Sequence, residues 1–350
     1  MKAKSAQPAQ TARLCLLALA IIMIASLSSC KSGQTVGLPP CTGKPGEILI
    51  VMADDLYKGA AGDTLLGILT QEEPALPRTG MEGAEPMFNV LHLPPAALNN
   101  TIRPARNMII VEVGPEIPKP LMKVFKNYWA DEQVLIWLFA PDRDQLVALV
   151  NSNGKAILDV MRDGEVDRQV AYNIKYQNTA LTDQILRNHD IKINIPKGFA
   201  VKVDTGNFAW VQYDPANETQ GLLLWSYPYT SEKQLELPYL QQFTNHFLEP
   251  RLPGPSAPKK KSFMSIVPDI NVITRTFMKN GVYVREMRGL WEVKTDFMGG
   301  PFISWTMVDE KRNRVVTAFG FVYAPKIGKR NPIRKVESLL KTIEFPDQVK

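Results

Sequence analysis

Apolar positions along this chain fall into three patterns, and each predicts a different kind of element. Residues 14–25 are an unbroken apolar run, LCLLALAIIMIA. As a helix the run would span about 18 Å, against roughly 30 Å for the hydrocarbon core of a bilayer. Shorter apolar runs follow. ILIVM (48–52), MFNVLHL (87–93), MIIVEV (108–113) and QVLIWLFA (133–140) read as strands, and 120–128 is ambiguous. Between the first two, Asp63 is placed as the N-cap of a short helix, TLLGILTQEE, closed by Pro74 and Pro77. The third pattern is helical. Leu146, Leu149, Val150, Ile157, Val160 and Met161 recur at three-, four- and seven-residue intervals. After a break near Gly164, Val166, Val170, Ile174, Leu181 and Ile185 continue a stripe.

Beyond residue 190, IKINI (191–195) alternates cleanly. IKINI, FAVKV, FAWVQY and GLLLWSYPY are strand candidates, followed by a helix over 231–248 that carries Leu235, Tyr239, Leu240, Phe243 and Phe247 on one side. A proline-rich loop ending in Lys259-Lys260-Lys261 separates it from VYVREM, LWEVKTDF, FISWTMVD and RVVTAFGFVY. The last two, joined by a polar turn at 310–313, predict an antiparallel hairpin. A final helix is expected from Pro332. Strands in blocks with helices at the ends argue for an α+β protein, with two domains of largely antiparallel sheets packed by helices. The expected divisions are 1–29, 30–46, 47–189, 190–345 and a short tail, 346–350.

The first of these reads as an export signal. Lys2, Lys4 and Arg13 precede the apolar run, no acid occurs there, and the run ends in Leu27-Ser28-Ser29-Cys30. An apolar residue, two small residues and a cysteine are similar to a bacterial lipobox. Cys30 is the expected lipidation site, and more than one acyl chain gives stable anchoring. Residues 30–46, with four glycines and three prolines, read as a tether. Loss of the signal removes three basic residues, which takes the formal charge from +6 to +3. The basic balance is therefore poor evidence for nucleic acid. Of three cysteines, Cys15 leaves with the signal and Cys30 takes the lipid, so Cys41 has no disulfide partner.

Several phrases together resemble the domain-of-unknown-function (DUF) family 4837 of Bacteroidota lipoproteins. They are ADDLYKGAAGDTL, EPMFNV, NYWADEQ and, above all, RGLWEVKTDFMGGPFISWTMVD (288–309). The resemblance is expected over nearly the whole mature chain and implies a location and a lineage without a mechanism. Surface-exported lipoproteins of that lineage often carry acids after the lipidated cysteine. Lys31-Ser32-Gly33-Gln34 departs from that, which favours an outer-membrane anchor facing the periplasm. In the second part, I-x-I-P-x-G-F followed by antiparallel strands and a C-terminal helix resembles the order in PsbP/Mog1-type α/β/α sandwiches.

Familiar catalytic and metal patterns are missing from the sequence. His92, His189 and His246 lack metal-pair spacing, and HExxH, CxxC and G-x-S-x-G do not occur. No metal or cofactor is expected. Lys58 to Thr64 superficially suggests a phosphate loop, but Asp63 stands where a phosphate-binding lysine belongs. Asp54 and Asp55, adjacent at a strand end, read as turn and cap residues. The best candidate ligand site is 285–301. Arg285 and Arg288 would clamp an anion, Trp291 would offer a face, Asp296 a carboxylate, and Gly299 and Gly300 close backbone approach. Trp210, Trp225, Tyr227 and Tyr229 suggest either core or a stacking platform. The expected function is a membrane-anchored, non-enzymatic binding or assembly module with an envelope protein or glycan partner. The alternative is an envelope hydrolase or transferase using the Asp and Arg residues near 285–301.

Overall fold

The computed structural model describes residues 37–78, 84–267 and 272–346. The chain divides into Met1–Pro39 and Pro40–Lys350. Only 37–39 of the first unit are described, so the export signal and Cys30 lie outside the described residues.

In the second unit, part of the expected tether is tied down. Thr42 donates to Pro104 O and accepts from Arg106 N, each at 2.8 Å. Strand β1 (Glu47–Val51) leads through α1 (Asp54–Tyr57) and α2 (Ala60–Leu69) to β2 (Asn89–Leu93). Asp63 falls inside the first turn of α2, whose N-cap is Gly59. β3 (Asn107–Val113), β4 (Leu121–Lys126) and β5 (Val134–Ala140) complete a sheet in the order β2-β1-β3-β5-β4. Its pairings are parallel except that of β4 with β5. Antiparallel pairing still dominates the molecule, because every pairing of the second sheet has that sense.

The first stripe expected before Gly164 and the part of the second through Ile174 form one helix, α3 (Arg143–Lys175), while Leu181 and Ile185 fall on the next helix. The Asp142 side chain caps it, accepting from Gln145 N at 2.8 Å. Gly164 does not break it. A Cβ at that position would press on the Val134 side chain, so the glycine lets the helix lie close over β5. Leu146, Val150, Ile157 and Met161 of α3 and Leu65 and Leu69 of α2 cover Ile48, Ile50, Ile109 and Ile136 on one face of the sheet.

After α4 (Thr179–His189), Ile191, Ile193 and Ile195 enter the second core, although this segment pairs only through isolated bridges. Then come β6 (Ala200–Thr205), β7 (Phe208–Tyr213), β8 (Thr219–Pro228), α5 (Leu237–Leu248) and β9 (Met264–Ile266). β10 (Ile273–Lys279), β11 (Val282–Val293), β12 (Gly299–Asp309), β13 (Arg314–Tyr323) and α6 (Arg330–Lys341) close the chain. The strand order is β10-β11-β12-β13-β8-β7-β6, with β9 paired to β11. On one face, Leu181 and Ile185 of α4 and Ile333, Val336 and Leu340 of α6 pack on Leu222, Leu224, Ile303 and Trp305. On the other, Leu240, Phe247 and Leu248 of α5 pack on Trp225, Met287, Phe302 and Phe319. The result is an α/β/α sandwich, in line with the element order of the sequence.

The two sheets are joined through α3 and α6. Asn173 donates to Ser338 Oγ at 2.8 Å, and Lys341 pairs with Asp163 at 3.1 Å. Among the described residues, no helix is long and apolar enough to cross a membrane.

Candidate functional site

The hairpin β11–β12 holds all six candidate ligand residues but does not gather them. Strand side chains alternate, so Arg285 and Arg288, three apart, point to opposite faces and form no clamp. Arg288 is buried and points towards α6. It donates to Glu337 Oε1 at 2.7 Å and to Glu286 Oε1 at 2.7 Å. Trp291 faces the α5 side, where its indole N–H donates to Val322 O at 3.2 Å and its ring meets Phe321 edge-on. Gly300 pairs with Trp291 and Gly299 with Glu292. A Cβ at Gly300 would overlap the Val322 carbonyl, so the close approach there is to the protein's own backbone. Asp296 sits in the hairpin turn and accepts from Ser256 N at 3.2 Å and from the Ser256 and Ser262 hydroxyls. Those bonds, Ser256's first, hold its carboxyl below the ordinary range.

Arg285 opens into a cavity. Its Nε is buried without a hydrogen-bond partner. It borders a groove of about 1010 Å³ walled by Tyr229, Tyr283, Glu232, Glu236 and Glu310. The other aromatic candidates are mostly core. Trp225 is buried and stacks on Phe247 at 4.6 Å, while Tyr227 packs on Phe243 and burial pushes its hydroxyl pKa up. Asp55 pairs with Arg143, and Asp54 lies 3.9 Å from His92, itself stacked on Tyr57. Among the described residues, no group of three or more His, Cys, Asp and Glu is placed to hold a metal ion.

Arg288 belongs to one of two buried charge networks. In the first, Glu337 of α6 takes Arg162 of α3 and Arg288 of β11. Glu286 takes Arg288 and Arg275 and accepts the Trp305 indole N–H at 2.8 Å. Arg334 of α6 donates to Glu73 and to Met87 O. Burial alone would raise the Glu337 pKa, but Arg162 and Arg288 outweigh it and hold the carboxyl well below its ordinary value. In the second network, Glu165 receives Arg106 at 3.0 Å, Arg168 at 2.7 Å and Asn107 at 2.6 Å. Burial again opposes, and the two arginines again prevail to lower its pKa. These partners are 49 to 261 residues apart in several pairs, and no local pattern announces them.

A half-covered apolar surface lies on the first sheet. The face opposite α2 and α3 keeps Val51, Met108, Ile110 and Leu135 covered by Leu98, Ala105 and neighbouring aromatics. Trp137 and Phe139 of β5 stack at 5.6 Å and remain half-buried. Phe125 and Tyr128 lie against Trp137, Trp129 carries Arg103 over its ring, and Lys123 stands over Phe139. Leu91 is 51% exposed at the edge of this sheet. A largely parallel sheet is usually covered on both faces.

Residues 178–342 match the model of DUF4837, a domain of unknown function, and residues 41–172 match that of DUF8532, a second such domain. The DUF4837 match therefore spans the second part alone and not nearly the whole mature chain. ADDLYKGAAGDTL, EPMFNV and NYWADEQ fall in the DUF8532 segment. No curated protein matches the chain. Among solved structures, the chain is similar to a mutant of Protein Mog1 at 10% identity and a TM-score of 0.30, over 45% of this chain and 90% of that one. It is similar to the Ran-binding protein Mog1p of Saccharomyces cerevisiae at 9% identity and a TM-score of 0.31, with the same coverage. LpqN of Mycobacterium tuberculosis, described as involved in cell envelope biogenesis, aligns at 13% identity and a TM-score of 0.27, over 44% of this chain and 82% of that one.

Proposed function

We propose that this chain, in which residues 41–172 are a DUF8532 domain and residues 178–342 a DUF4837 domain, is a lipid-anchored envelope protein that works as a binding or assembly module. The half-covered aromatic face of the first sheet carries the reading. Trp137, Phe139, Phe125 and Tyr128 form a contiguous apolar surface rimmed by Lys123 and Arg103, the composition expected where a partner docks. The paired state of Arg288, Glu286 and Glu337 supports the same reading, because it leaves these groups no part in chemistry on a ligand. In this account the anchor is a lipid on Cys30, on the outer membrane and facing the periplasm, and the partner is an envelope protein.

Two measurements test the halves of this account separately. Mass spectrometry of the N-terminal peptide from the native host should find acylated Cys30 and no Met1; a bare Cys30 overturns the anchor. Detergent extraction should bring down a partner with the full chain and lose it with Phe139→Ser, at a thermal midpoint within a few degrees of the parent. Retention of the partner by that variant overturns the docking face.

The groove at Arg285 favours a second reading, an envelope hydrolase or transferase, because Glu232, Glu236 and Glu310 stand beside an arginine with a free N–H. If this is the active site, the full chain turns over an envelope substrate and Arg285→Ala abolishes turnover.

A further inference from the structure

Two segments that the sequence separates by more than thirty residues form one tip. The turn between β11 and β12 carries Phe297, which is fully exposed, the most exposed large apolar side chain among the described residues. The proline-rich loop that ends in Lys259, Lys260 and Lys261 is fastened beside it. Asp296 accepts from Ser256 and Ser262, and Lys294 N donates to Phe263 O at 2.9 Å. Thr295 takes a positive φ of 69°, which turns the chain sharply next to Phe297. The three loop lysines are exposed, and Lys294 is half-buried.

Not all of this charge is free. Lys261 pairs with Glu249 at 2.7 Å, and Lys294 pairs with Glu292. Lys259 and Lys260 have no carboxylate in ion-pair range among the described residues, although Asp296, whose carboxyl accepts from the two serines, feels the charge of Lys260. The tip thus presents an exposed phenyl ring with the exposed Lys259 and Lys260 on the adjoining loop.

We infer that this tip inserts Phe297 into the interface of an anionic bilayer, with Lys259 and Lys260 on the phosphate groups. A ring held out in water loses its unfavourable hydration by entering the headgroup boundary, and lysines flanking it meet the negative surface there. An acidic protein would satisfy the lysines but gives no reason for a lone ring projecting at the apex. The tip acts whether or not Cys30 carries lipid, so this inference stands apart from the proposed anchor.

The test is hydrogen exchange on the full chain reconstituted in vesicles, read at residues 259–263 and 294–298. One set of vesicles is zwitterionic and one contains about a third phosphatidylglycerol. The inference expects slower exchange at both segments on the anionic vesicles alone. Phe297→Ser and the pair Lys259→Glu, Lys260→Glu should each abolish it, with exchange elsewhere unchanged. Each lysine should contribute roughly fivefold in surface affinity. Equal exchange on the two vesicle types overturns the inference. Equal protection by free inorganic phosphate or a soluble polyanion also overturns it, because it reports an anion site without a bilayer. The lipid state of Cys30, read by mass in the same sample, separates this outcome from failure of the anchor.

Discussion

Arg288 of β11 and Glu337 of α6 lie 2.7 Å apart with both side chains sealed from solvent. Arg162 brings α3, and with it the first sheet, to the same carboxylate. One glutamate therefore holds a strand of the second sheet, the helix over that sheet, and the long helix of the first.

Removing one member leaves the others charged, buried and short of a partner. Arg288→Ala should destabilise the protein by about 3–5 kcal/mol, the usual cost of breaking a buried pair. Arg288→Lys should recover only part of this, because one ammonium cannot serve both Glu286 and Glu337 as the guanidinium fork does. Urea unfolding of the three proteins checks the order.

Acid should weaken the protein through the same groups. The folded-state pKa values of Glu337, Glu286 and Glu165 lie below their ordinary value of 4.5. Burial opposes this in each case, and the arginines beside each carboxyl outweigh it. A depressed carboxyl pKa contributes stability that is complete above the unfolded value and is lost as pH falls through the folded one. Unfolding free energy should be level, as far as these groups go, from neutrality to about pH 5, and should fall below about 4.5. Glu337→Gln should start less stable and fall less steeply. A parent protein whose stability does not change between pH 5 and pH 3 contradicts this.

Gly300 separates a structural role from a ligand-binding one. Gly300→Ala forces a Cβ onto the Val322 carbonyl and should cost at least the roughly 1–3 kcal/mol of an overpacked site. Gly206→Ala, where nothing lies within 4 Å of the added carbon, should stay within about 0.5 kcal/mol. Thermal melts of both variants give the comparison.

Most strands were legible in the sequence, but β9 and β10 were not, and VYVREM and the LWEV of LWEVKTDF belong to the single strand β11. ILIVM and VLIWLFA are unbroken apolar runs, as strands of a parallel sheet tend to be, but GLLLW of the antiparallel second sheet is unbroken too, so the runs alone do not separate the two senses. The expectation of largely antiparallel sheets holds for the molecule as a whole; the parallel pairings of the first sheet are the part it does not single out. α3 was read as broken at Gly164 because glycine is a poor helix former, while its reason for being there is the distant Val134. The candidate site failed for a related reason. Arg288 and Arg285 look alike in REMRG, and the contact with Glu337, 49 residues away, makes one of them a strut. The aromatic face was invisible because Phe125 lies in the segment left ambiguous, so its meeting with Trp137 across β4 and β5 was not foreseen.

The central claim is that the aromatic face of the first sheet docks a partner. A photo-crosslinking amino acid placed at Phe139 in the full chain, in intact cells of the native host, tests it most directly, with exposed Asp183 on α4 as the control position. The account predicts a discrete adduct from position 139 and none from 183. No adduct from 139, or the same adducts from both positions, would contradict it.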